Sequence, residues 1–73
     1  MVTIYSTPSC AYCVMAKDYL SSKNIKFTDY DVSQDRTKAD EMVKKSGQMG
    51  VPVLDVNGTI IIGFDKNKIN SSL

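Results

Sequence analysis

The chain has no histidine, and its 73 residues include only two cysteines, two prolines and four glycines. Without histidine, no side chain supplies a neutral-pH imidazole base. A zinc site of four nitrogen or sulfur ligands also lacks its parts, because two thiols are the whole supply. So little glycine and proline, beside 42% hydrophobic residues, excludes a disordered or low-complexity chain. An excess of charge of one sign is missing too. Nine Lys and Arg face eight Asp and Glu, spread among one another, so the net charge is +1 and there is no basic footprint for nucleic acid. No apolar run approaches a membrane span or a signal core, and Met1 to Tyr5 carries no basic leader. The expectation is a cytoplasmic monomer with neither nucleic acid nor membrane as partner. The length allows one domain, residues 1–73, near the lower limit for a chain that must bury its own core.

What the chain does have is Cys10-Ala11-Tyr12-Cys13, both cysteines three positions apart, after a short apolar run and before a helix-like one. Positions i and i+3 share a helix face, so the second sulfur can reach back to the first. Cys10 falls at the expected helix N-terminus, where unpaired N–H groups and the macrodipole favour an anion. The thiolate is the nucleophile of disulfide exchange, and this setting lowers a cysteine pKa. Activation must rest on that N-terminus and on the N–H groups of residues 12 and 13, with the hydroxyls of Thr7 and Ser9 as possible aids. A structural disulfide over so short a loop would remove hardly any unfolded-state entropy, and in the cytosol a paired dithiol is catalytic or metal-binding.

The rest of the chain reads as an α/β order. Val2-Thr3-Ile4-Tyr5-Ser6 alternates as a first strand, and Thr7-Pro8-Ser9 is the loop presenting Cys10. Ala11 to Lys23 is a helix, ended by Asn24, with Val14, Ala16, Tyr19 and Leu20 as its buried stripe. Lys26 to Val32 is a second strand. Ser33 and Asp35 offer N-cap oxygens for a helix from Asp35 to Ser46, its narrow apolar face made of Ala39, Met42 and Val43, with Gly47 at C′. Val53 to Val56 and Thr59 to Ile62 form a hairpin about Asn57-Gly58, and Asp65 caps a last helix to Leu73. The order β-α-β-α-β-β-α places a parallel strand pair before an antiparallel one in a four-stranded mixed sheet. The dithiol lies outside the carboxyl end of the first strand.

These residues resemble the glutaredoxin family: Tyr5-Ser6 before Cys10-x-x-Cys13, Val51-Pro52 before a third strand, then Asn57-Gly58 and Gly63-Phe64-Asp65. The resemblance runs from residue 2 to about residue 70. It implies the minimal thioredoxin fold, with Cys10 as exposed nucleophile and Cys13 as the more buried resolving thiol, and a cis Val51–Pro52 bond facing them. It further implies glutathione as co-substrate with no bound cofactor. Tyr12, Gln48, Val51, Pro52, Gly63, Phe64 and Asp65 would form the substrate or glutathione site. Ala11 stands where these proteins usually carry proline, Thr7 where many carry lysine, Ile62 where a glycine is usual, and Lys66 where an acidic residue would hold the glutathione amino group. The Gly63-Phe64 turn is also similar to that of glutaredoxin-like redoxins reduced by thioredoxin reductase, which give electrons to enzymes such as ribonucleotide reductase. That reading stays open beside glutathione, as does a cluster-binding module using the C-x-x-C shared between two chains.

Several residues carry a plain reading as well as a functional one. Pro52 can simply start a strand, and Phe64 can anchor the core or wall the groove. Gln48 is either a glutathione-carboxylate contact or a loop residue, and Met49 either core filler or groove lining. Tyr5, Tyr19, Phe27 and Tyr30 read as packing, and Lys44 and Lys45 as a solvated helix face.

Overall fold

A computed structural model describes all residues, Met1–Leu73. Its elements follow the expected order: β1 (Val2–Ser6), α1 (Ala11–Ser22), β2 (Thr28–Asp31), α2 (Arg36–Ser46), β3 (Val53–Val56), β4 (Thr59–Ile62) and α3 (Lys66–Ser72). The four strands make one sheet in the order β2-β1-β3-β4. β1 runs parallel to β2, pairing Ile4 with Asp29, and antiparallel to β3, pairing Ile4 with Leu54. β3 and β4 form the hairpin, with Leu54 opposite Ile61. Asn57 and Gly58 both adopt positive φ, 53° and 94°, the left-handed pair that a two-residue hairpin turn demands. This is the minimal thioredoxin arrangement that the resemblance implies.

Strand alternation sends side chains to two faces, and each face has its own helices. Val2 and Ile4 of β1, Leu54 and Val56 of β3 and Ile61 of β4 meet Ala16 and Leu20 of α1 and Ile69 of α3 in the larger cluster. Tyr5 and Val53 point the other way and pack on Met42 of α2. No helix is long and apolar enough to cross a membrane.

Local differences from the expected elements have physical causes. α1 stops at Ser22 because the Lys23 and Ile25 N–H groups both return to the Leu20 carbonyl while Asn24 turns left-handed at φ 58°. The buried stripe of α1 is Cys13, Ala16 and Leu20, and Val14 is 47% exposed. Val14 follows Cys13 directly, so it is turned about 100° around the helix, off the inward line. β2 is shorter than Lys26–Val32: Phe27 leaves the ladder to pack against the larger cluster. Of the two offered caps, Asp35 serves α2, accepting from the Lys38 N–H at 3.1 Å. Lys45 belongs to no purely solvated face. Its ammonium bonds Asp55 of β3 at 3.0 Å and lies 5.7 Å from the Tyr5 ring centroid, tying α2 to the sheet. Asp55 and Tyr5 both push the Lys45 pKa up. Lys44 is exposed as expected.

Candidate active site

β1 ends at the buried Ser6, and the loop Thr7-Pro8-Ser9 hands the chain to α1 at Cys10. Cys10 is the N-cap: its backbone is extended (φ −94°, ψ 113°), and its Sγ accepts the Cys13 N–H at 3.2 Å. Asp35 and Asp65 do the same for α2 and α3, each accepting an N–H from three residues on. A sulfur therefore occupies the place where the other two helices put a carboxylate. The site suits an anion, because first-turn N–H groups have no intrahelical partner. The hydroxyls of Thr7 and Ser9 make no bond to this sulfur. Its other neighbour is the Val51 carbonyl, at 3.8 Å.

Cys13 is fully buried one helical turn inside, and both cysteines are free thiols. Burial, and then the bond with Cys10, pushes the Cys13 thiol up to about 11, against the Thr7 backbone and the Lys17 ammonium, which draw it down. Lys17 sits four residues after Cys13, on the same face of α1. It is held by Asp29 of β2 at 3.1 Å, whose other oxygen accepts the buried Ser6 hydroxyl at 2.6 Å. No local pattern in the sequence marks this Ser6–Asp29–Lys17 chain, which joins β1, β2 and α1. Its only trace there is a lysine one turn after the second cysteine.

The Val51–Pro52 bond is cis. Pro52 is buried, and its carbonyl accepts the Gly63 N–H at 2.8 Å, which joins the loop before β3 to the turn after β4. A groove of about 700 Å³ opens along this seam. Tyr12, Val51 and Pro52 line it on the dithiol side, and Gly63, Phe64 and Asp65 on the other. Six of the seven predicted binding residues thus converge on it, beside Ile62 and Lys66. Phe64 does both jobs set out for it, since it also packs against the larger core cluster. Asp65 lines the groove while capping the Lys68 N–H at 3.1 Å.

Gln48 is the exception. Its side chain closes on its own loop, accepting from the Gly50 N–H at 2.6 Å and donating to the Gly50 carbonyl at 3.0 Å, and it does not line the groove. Those two local bonds need no partner from elsewhere in the fold. Met49 is 80% exposed and also lies outside the groove lining. The dithiol is joined by no third Cys, Asp or Glu side chain in a cluster fit to hold a metal ion.

The site thus combines a half-buried sulfur at a helix start, a buried second thiol one turn on and a cis proline in the adjoining loop. Comparison with known proteins identifies the family. The Glutaredoxin family model matches residues 2–61. An uncharacterized glutaredoxin-like 8.6 kDa protein in the rubredoxin operon of Clostridium pasteurianum is 49% identical over 70 residues, 96% of this chain and 93% of that one. Glutaredoxin 3 of Escherichia coli K12 is 38% identical over 64 residues, covering 88% and 77% of the two chains. In fold, the glutaredoxin-like protein NrdH-redoxin of Escherichia coli superposes with a TM-score of 0.82 at 24% identity, over 96% of this chain and 91% of that one. Motif, fold and whole-length similarity coincide, and the chain belongs to the glutaredoxin family.

Proposed function

We propose that this protein is a small dithiol–disulfide oxidoreductase of the cytoplasm that reduces protein disulfides and glutathione mixed disulfides. Cys10 is the nucleophile and Cys13 the resolving thiol. The observation that carries this reading is the asymmetry of the pair. Cys10 Sγ is partly exposed at the N-cap of α1, 3.8 Å from the carbonyl of the groove residue Val51, whereas Cys13 is fully buried and its thiol is held protonated.

The chemistry follows from that asymmetry. The Cys10 thiolate forms a bond to one sulfur of the substrate disulfide, whose S–S bond breaks, and the first substrate thiolate leaves. Cys13, on losing its proton, attacks Cys10 Sγ and expels the second. Two electrons pass from the dithiol to the substrate, which departs as two thiols, and Cys10 and Cys13 remain as a disulfide. Two glutathione molecules reverse the sequence on the protein and leave as glutathione disulfide. An extended substrate chain can pair with the Val51 backbone beside the cis bond, adding itself as a strand.

Alkylation of the reduced protein at mildly acidic pH should label Cys10 first. Cys10→Ser should abolish disulfide reduction, and Cys13→Ser should accumulate mixed disulfides at residue 10. First labelling at residue 13 would overturn the assignment. A second reading, reduction by thioredoxin reductase with electrons passed to an enzyme such as ribonucleotide reductase, is favoured by the groove itself. Lys66 lines it at the position where the family resemblance calls for an acid, Ile62 replaces a glycine, and Gln48 is turned away. Supplying the oxidised protein with glutathione and its reductase, or with thioredoxin reductase, separates the two by which one consumes NADPH.

A further inference from the structure

The groove beside the dithiol continues past Phe64. Beyond that ring a second groove of about 350 Å³ runs along α1, lined by Met15, Asp18 and Tyr19. Phe64 and Lys66 line both, so the two form one trough with the Phe64 ring as its saddle. The saddle is braced: Phe64 and Tyr19 meet edge to face with centroids 5.7 Å apart, and the Tyr19 hydroxyl donates to Asn70 Oδ1 at 2.6 Å. Lys66 Nζ lies 5.6 Å from the Tyr19 centroid and 5.8 Å from that of Phe64, a placement the ring quadrupoles favour. Lys23 lies over the same Tyr19 ring but lines neither groove. The ion pairs of the chain engage Lys17, Lys38 and Lys45, leaving Lys66 and Asp18 without a charged partner.

We propose that this trough is the docking track for the polypeptide carrying the substrate disulfide, which crosses Phe64 with an acidic side chain on Lys66 and a basic one farther out on Asp18. The inference rests on the disulfide-exchange reading above and names its substrate class. Charge complementarity selects the occupant. The dithiol-side groove holds Asp65 and Lys66, and the Asp65 carboxylate is engaged as the cap of α3 by the Lys68 N–H, which leaves Lys66 as its free charge. The α1 groove adds Asp18, and the apolar floor between them, Met15, Tyr19 and Phe64, takes the uncharged part of an extended chain. The second groove lies beyond the one next to the dithiol, so a chain that fills both must run on past its cysteine. The order of the charges gives the track a direction.

Synthetic peptides test this. Each carries one cysteine as a mixed disulfide with a chromophoric aromatic thiol, and the flanking positions are acidic, basic or alanine. In a single turnover, reduced Cys10 bonds to the peptide sulfur and releases the aromatic thiolate, and Cys13 then displaces the peptide thiolate. Each rate is normalised to that of a small uncharged mixed disulfide of the same aromatic thiol. At low salt, peptides with an acid near the cysteine should react about two- to fivefold faster than those with a base there, the range that one exposed ion pair supplies. Molar salt should remove the preference. Lys66→Glu should invert it, and Asp18→Lys should remove the gain from a basic residue farther out. Equal normalised rates for all peptides, or an order unchanged in Lys66→Glu, would overturn the docking track while leaving the exchange chemistry standing. Failure to release the aromatic thiol from any substrate, the small one included, strikes the exchange reading itself.

Discussion

The two thiols have the same chemistry and opposite surroundings. Cys10 caps a helix at the edge of a groove, and Cys13 is enclosed with its thiol pushed up to about 11, first by burial. Burial disfavours the charged form. In the proposed mechanism the resolving step needs the Cys13 thiolate, so its rate should rise with pH from about 6 to about 9, near tenfold per unit while the thiol is mostly protonated. Stopped-flow decay of a preformed Cys10 mixed disulfide reads this directly, and a plateau near neutrality would contradict it. Lys17, one turn from Cys13 and anchored by Asp29, is the cation that opposes the burial.

Among the elements, the three helices open in the same manner. Asp35 and Asp65 cap with nearly identical backbones (φ −124° for both, ψ 99° and 98°), and Cys10 repeats the bond with sulfur. α3 has only seven residues, too few to persist alone in water. It is held by its cap and by Ile69, which is fully buried in the larger cluster. Removing the cap by Asp65→Ala should therefore cost about 0.5–2 kcal/mol of stability. Urea denaturation checks this through a lowered midpoint with the slope unchanged. The groove turn Gly63-Phe64-Asp65 leads directly into that cap, so loosening α3 also loosens one wall of the site.

For the whole molecule the margin is narrow. A chain of this length is stable by roughly 4–11 kcal/mol, and the larger cluster holds only eight buried residues. Leu20 is completely enclosed where α1 meets the sheet. Leu20→Ala should cost about 2–5 kcal/mol, from lost transfer energy and the cavity left behind. That is a large share of the total, and a thermal melt should show a fall of about 8 °C or more, since about 1 kcal/mol moves a domain of this size by roughly 4–8 °C. Ile4→Val, one methylene smaller in the same cluster, should lose only about 0.5–1.5 kcal/mol.

Much of this protein is written locally, in residues that act within a few positions of themselves. The C-x-x-C pair, the aspartate caps, the left-handed Gly47, the Asn57-Gly58 turn and the strand alternation each follow from backbone geometry or short-range hydrogen bonds. They were legible in the sequence, and so was the order of the elements. The family resemblance also named most of the groove, and the β3–β4 pairing brings Val51-Pro52 and Gly63-Phe64-Asp65 together there. What the sequence left open depends on residues far apart in the chain. Gln48 is the local exception: it could face the groove or its own loop, and two bonds to Gly50, two positions on, decide for the loop. Lys45 could be solvated, and Asp55, ten residues on, draws it to the sheet. Ser6, Lys17 and Asp29 are ordinary until β1, α1 and β2 meet beneath Cys13. Lys66 and Asp18, forty-eight positions apart, become two poles of one trough only when α3 packs beside α1. Period and turn chemistry act over a few residues, whereas charge and packing act through space, and only the folded chain sets those distances.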